Sequence, residues 1–150
     1  MVTEDFKVCP ADIDEAAKDY ETPAEYALSN ALAKALSVSK GCSGPVLDAE
    51  DNRQMLADLS GRWHTVLTAI ALCRQGKVLG ADIVATRVRF SDLRTQDIND
   101  LVQSGDGLDK AGGYGIQGKA GKYIAGIHGC YYNVVGLPVA AVADLLDRQE

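Results

Sequence analysis

Gln117, Lys110 and Asp109 sit in the stretch of this chain best suited to chemistry, Leu108 to Pro138 (LDKAGGYGIQGKAGKYIAGIHGCYYNVVGLP), which holds 8 of the 15 glycines. Glycine carries a large backbone-entropy cost, so this density marks tight turns or backbone that comes close to a ligand. A flexible linker would be poor in Tyr, Ile and Val, whereas here turn residues alternate with apolar ones. The segment therefore reads as a binding loop followed by a short strand pair. An amide such as Gln117 can donate and accept hydrogen bonds at once, although a glutamine on an exposed loop is often idle. Asp109 and Lys110 either form a local ion pair that shapes the turn or leave Lys110 to face a phosphate, and the first reading is favoured.

Other motifs carry less. Gly113 to Gly118 satisfies G-x-G-x-x-G, but a polar turn precedes it, the strand-like KYIAGIH follows it, and no acidic residue lies about 20 positions on, so a dinucleotide site is not expected. There is no Walker lysine motif, no serine elbow and no histidine-based metal pair. Cys9, Cys42, Cys73 and Cys130 are scattered without C-x-x-C, and only His64 and His128 could join them, which excludes a structural zinc site built from close ligand pairs. Cys73 and Cys130 read as small apolar residues of strands. His64 and His128 read as satisfied structural histidines, Trp63 and Tyr114 as packing residues, and Asn133 as a residue that fixes the turn before the last helix.

These residues need a scaffold, and composition bounds it. With 150 residues, 47% hydrophobic and 24% charged, the chain suits a single domain over residues 1–150 with a real core. A net charge of -6 argues against binding nucleic-acid polymers, since that affinity comes from clustered Lys and Arg. A single nucleotide needs only a few local cations. No apolar run approaches the roughly 20 residues that span a bilayer, and the acidic MVTEDFK lacks a signal core. A cytoplasmic protein without membrane partners is expected.

The elements alternate between helix and strand. Phe6 to Cys9 reads as a short strand ending at Pro10. Thr22-Pro23-Ala24-Glu25 combines a capping box with proline at the first helical position, so a helix is expected from about Pro23 to Val38, with Leu28, Ala31, Leu32, Ala35 and Leu36 as its buried stripe. A second helix runs from about Ala49 to Leu59, capped by Asp48 and stopped by Ser60-Gly61. His64 to Cys73 and Lys77 to Phe90 are β-rich runs joined as a hairpin around Gln75-Gly76. Ser91 or Thr95 begins a helix to about Gln103, ended by Gly105, and Pro138 to Arg148 is a closing amphipathic helix.

DKAGGYGIQG followed by GCYYNVVGLP resembles the C-terminal signature of the Maf family, nucleoside triphosphate pyrophosphatases also linked to inhibition of septum formation. FKVCPADIDE (Phe6 to Glu15) resembles the family's second strand and acidic turn, TPAEYALSNALAKAL (Thr22 to Leu36) its next helix, and DAEDNRQMLADLSGRWHTVLTAIAL (Asp48 to Leu72) its helix, Ser-Gly turn and strand. The DKAG-YGIQG form resembles the branch that acts on dTTP and UTP. The resemblance implies an α/β (mixed α+β) fold of the Maf/ITPase type, a mixed sheet flanked by helices, here shortened by two strands. It implies hydrolysis of dTTP- or UTP-type nucleotides to the monophosphate and pyrophosphate with a divalent metal, Mg or Mn.

Carried over by position in the motifs, Glu15 is the metal-associated catalytic carboxylate and Lys34 a catalytic, phosphate-contacting lysine. Gln117 reads the base, with Lys110 and Asp109 beside it on the substrate loop. Without the resemblance, Glu15 would be a solvated turn acid beside Asp12 and Asp14, and Lys34 an ordinary helix-surface lysine. Two family elements have no counterpart. No Ser-x-Ser-Pro-Arg-Arg phosphate loop precedes Phe6. Only SKGCSGPVL (Ser39 to Leu47) fills the interval in which the family has a Gly-Ala-Asp-Thr strand, whose Asp is the catalytic base, and a Gly-Lys-Pro turn. Gly80-Ala81-Asp82 belongs to a later strand and does not replace it. The alternative is a Maf-like scaffold without turnover that binds nucleotide or protein. Unpaired sheet edges left by the shortening, together with the resemblance, suggest a homodimer.

Overall fold

Burial with a period of two identifies the element that organises the molecule. Towards its C-terminal end the strand Lys77–Phe90 buries Thr86, Val88 and Phe90 and exposes Ala85, Arg87 and Arg89, as a pleated strand with one covered face must. The computed structural model describes residues 28–31, 49–74, 77–110 and 112–148. The expected strand at Phe6 to Cys9, the Thr22-Pro23 cap, Asp48, and both Glu15 and Lys34 lie outside the described residues. Residues 28–31 are helical, as expected for that part of the chain.

The hairpin is as read from the sequence. Strand β1 (Trp63–Arg74) pairs antiparallel with β2 (Lys77–Phe90) from Trp63 opposite Arg89 to Arg74 opposite Lys77, with a register shift between Leu72 and Cys73. Strand β3 (Ile124–His128) adds to the other side of β2, giving the order β1-β2-β3. Gly80-Ala81-Asp82 falls in β2, the later strand to which the sequence assigns it. The result is a mixed α/β fold, an antiparallel sheet flanked by helices.

Helix α1 (Ala49–Leu59) places Glu50 and Asp51 in its first turn, where the helix dipole favours negative charge, and buries Asn52 and Leu56 four residues apart. Helix α2 (Thr95–Ser104) begins at Arg94, whose backbone N–H donates to Asp97 Oδ2 at 2.9 Å, and ends at Gly105 with φ +73°. The core lies between these helices and the end of the hairpin. Leu56, Phe90, Leu101, Val102 and Ala120 are buried together, with Leu59, Leu93, Ile98, Tyr114, Tyr123 and Ile124 packed around them. Each large side chain buried there stabilises by about 1.5–3 kcal/mol.

The expected strand pair after the glycine-rich loop is corrected. A 3-10 turn (Lys119–Tyr123) leads into β3, and a short helix, α3 (Tyr131–Val135), follows where a second strand was expected. The reason lies in Asn133 and Thr86. Asn133 is fully buried and its Nδ2 donates to Val66 O at 3.1 Å and to Thr86 Oγ1 at 2.9 Å. The Thr86 hydroxyl donates to Cys130 O and accepts from Cys130 N–H, each at 3.1 Å. The segment is thus pinned as a helical turn onto the hairpin face. Cys130 stands at the N-cap of α3, not within a strand. Asn133 does fix the approach to the closing helix α4 (Val139–Asp147). No helix among the described residues is long and apolar enough to cross a membrane.

Candidate active site

The glycine-rich loop begins where α2 ends. Gly105 closes the helix, and backbone bonds at 2.9–3.2 Å then fold the chain through Leu108 to Gly105, Lys110 to Gly107, Gly113 to Lys110, and Gly118 to Gly115. This succession of tight turns uses the chain's own N–H and C=O groups in place of a helix or sheet ladder. Asn52 of α1 fastens the loop's middle, its Nδ2 donating to Gly113 O at 2.6 Å. Two glycines are required by that geometry. Gly113 has φ +71°, and a Cβ there would lie 2.6 Å from Asn52 Nδ2; a Cβ on Gly107 would lie 2.0 Å from Gly113 O. Dense glycine here therefore means close approach, as the sequence suggests.

Two cavities flank the loop. One, of about 270 Å³, is lined by Asp106, Lys110, Tyr114, Ile116, Gln117 and Val135, among others. The second, of about 410 Å³, lies between β1 and α3 and includes His64, Thr68, Gly112 and Asn133 in its wall. Lys110, Tyr114, Val134 and Val135 line both. Gln117 is the one amide side chain in the wall of the first cavity, and it is exposed at the surface.

Its charges come in close pairs. Lys110 Nζ lies 2.5 Å from Asp109 Oδ2, and that ammonium holds the Asp109 carboxyl below the usual carboxylate range. The ion pair expected between them is present, while Lys110 also reaches the cavity wall. Asp106 Oδ2 accepts from Lys119 N–H at 3.2 Å, securing the far side of the turn that carries Gln117. At the back of the loop the Tyr114 hydroxyl meets His64 Nε2 at 2.8 Å. Burial pushes the Tyr114 phenol up to about 12 and lowers His64, so both are neutral at pH 7.

The readings of individual residues divide. Gln117, Lys110 and Asp109 are brought together on one loop; Glu15 and Lys34 fall outside the described residues. Tyr114 packs edge-on against Phe90 with centroids 4.8 Å apart, as a packing residue does, yet it also lines both cavities. His64 is not fully satisfied, because its Nδ1 is buried with no partner. His128 is exposed rather than buried, since it ends β3 opposite the outward-facing Arg87. Trp63 is 43% exposed and carries the Arg87 guanidinium 5.0 Å above its ring, so its packing is partly against a surface cation. Asn52 escaped the sequence reading. Its signal was a polar residue four positions before Leu56, within the apolar stripe of α1.

Among the described residues no three His, Cys, Asp or Glu side chains cluster as a metal site would require. The carboxylates nearest the first cavity, Asp106 and Asp109, are already engaged by Lys119 N–H and Lys110. The described residues therefore do not form a divalent-cation site by themselves.

A family model described as Maf-like protein matches residues 1–149. A dTTP/UTP pyrophosphatase of Clostridium botulinum (strain Hall) is 37% identical over 169 residues, covering 97% of this chain and 87% of the relative. Two dTTP/UTP pyrophosphatases of Anaeromyxobacter dehalogenans are similar to it as well, one 40% identical over 95% of this chain and 82% of the relative, the other 41% identical over 94% and 81%. The first match extends over 169 positions in a chain of 150 residues, so that relative carries residues inside the matched span that this chain lacks.

Proposed function

Because the chain belongs to the Maf-like family, we propose that it is a nucleoside triphosphate pyrophosphatase that hydrolyses dTTP- and UTP-type nucleotides. Water adds across the bond between the α and β phosphates, releasing the monophosphate and pyrophosphate. The observation that carries this reading is the cavity walled by Gln117 and Lys110 on a loop that Asn52 ties to α1. Gln117 offers a donor and an acceptor to the edge of a pyrimidine, and Lys110 offers a cation within reach of a phosphate. The names of the relatives support the choice of dTTP and UTP.

On this reading Glu15 holds a divalent cation, Mg or Mn, and Lys34 meets phosphate. The cation gathers the phosphate oxygens and neutralises charge that builds on the leaving pyrophosphate. The enzyme then works on the nucleotide pool of the cytoplasm. The test is pyrophosphate release from dTTP, UTP and CTP in the presence of Mg or Mn. Release from dTTP and UTP well above that from CTP is expected. No release above blank from a cooperatively folded sample would leave a binding scaffold in place of an enzyme.

A further inference from the structure

Two side chains hold the ends of the turn that carries Gln117. Asn52 holds Gly113 on one side of it, and Asp106 holds Lys119 N–H on the other. Between them, Gly118 N–H returns to Gly115 O at 3.0 Å, closing a turn immediately after Tyr114. The Tyr114 side chain ties the start of that turn to the sheet. Its hydroxyl lies 2.8 Å from Nε2 of His64 on β1, and its ring stands edge-on to the fully buried Phe90. The partnership is close to exclusive on the histidine side, because the other ring nitrogen, Nδ1, is buried without a partner. The same tyrosine lines both cavities.

We propose that the Tyr114–His64 hydrogen bond is a strut that holds the Gln117 turn against the cavity, making Tyr114 and His64 specificity-determining positioning residues. This rests on the proposed reading of Gln117 as the residue that recognises the base. A hydrogen bond between neutral partners is directional, so it fixes where the turn sits as well as whether it packs. Removing one partner leaves the other half-buried and unpaired, whereas replacing both by apolar groups of similar size is close to neutral for stability. Stability and recognition are therefore separable in a double-mutant cycle.

The experiment compares wild type with Tyr114→Phe, His64→Leu and the double variant, measuring Tm and kcat/KM for UTP and CTP. It also follows amide hydrogen exchange at Gly118. The strut predicts that each single variant raises KM for UTP about 5–10-fold, with the loss falling mainly on KM, and erodes the preference for UTP over CTP. In the double variant Tm recovers and the preference does not. Recovery of both together, or an unchanged preference in Tyr114→Phe, would overturn the proposal and leave a structural pair. If wild type itself releases no pyrophosphate, the enzymatic reading fails separately, and the strut is then judged on exchange alone. Faster exchange at Gly118 in Tyr114→Phe, with the β1–β2 ladder unchanged, supports it; unchanged exchange at Gly118 sinks it.

Discussion

The loop from Gly105 to Gly118 and the segment from Ser39 to Leu47 would serve opposite ends of one nucleotide, and they differ in how much of the family pattern they keep. The loop retains DKAG-YGIQG, and each of its turns is fixed by backbone bonds, by Asn52 or by Tyr114. The segment offers nine residues where the family has a strand with its catalytic aspartate and a Gly-Lys-Pro turn. The match of 169 positions to a chain of 150 residues agrees that residues are missing inside the span. On the proposed reading the loop recognises the base, with Lys110 reaching towards phosphate, and the metal chemistry falls to residues earlier in the sequence. Nucleotide binding should then tolerate damage on the phosphate side, whereas turnover should rest on the few acidic and basic residues left there.

The strongest way to break that comparison is Glu15→Ala. If Glu15 carries the metal, turnover falls by about 100-fold or more, while UTP still binds through the intact loop. Pyrophosphate release and equilibrium binding, measured side by side, check this. Equal losses in both would mean that the two regions are not separable.

Gly113→Ala attacks the other region. A left-handed φ costs an L-residue about 1–2 kcal/mol, and the new Cβ displaces the Asn52 amide, forfeiting a bond worth about 1 kcal/mol. Together these amount to about 2–3 kcal/mol, a fall in Tm on the order of 5–10 °C for a chain of this size. A thermal melt with unchanged Tm would show that the loop is less constrained than its bonds imply. Gln117→Ala leaves the backbone alone and should cost about tenfold in the preference for UTP over CTP, the worth of one lost pair of hydrogen bonds, with Tm unmoved.

How much of this was legible differs by the range of the interactions involved. Helix α1, the hairpin and α4 were readable to within a residue or two, because capping, periodicity and turn residues act locally. The placement of Cys130 and the strand expected after β3 were misread, whereas Cys73 lies in β1 as expected. GCYYNVV is rich in β-forming residues, and the bonds that pin it as a helical turn reach Thr86 and Val66, 47 and 67 positions from Asn133. The same limit hid Asn52, whose partner Gly113 lies 61 positions away. Gln117, Lys110 and Asp109 stand out as candidates through motif resemblance, since composition alone offers no reason to prefer one loop glutamine over another.

The smallest expected effect concerns the helix that presents the loop. Asp97 has a side chain only 8% exposed and accepts from Arg94 N–H, from the Arg94 guanidinium and from the Tyr123 hydroxyl. The hydrogen bond from the Arg94 side chain is the largest of the influences that hold its carboxyl well below the usual carboxylate range. A depressed folded-state value means that the unfolded chain takes up the proton first as pH falls. The stabilisation is complete above the unfolded value of about 3.9 and is lost as pH drops below it towards the folded value. Asp97→Asn should therefore lower Tm at pH 7 and flatten its dependence on pH below about 4, without altering the preference for UTP over CTP. An acid limb as steep in the variant as in wild type would place the acid sensitivity elsewhere. A changed base preference would show that α2 does more than present the loop, and that recognition extends beyond the turns between Gly105 and Gly118.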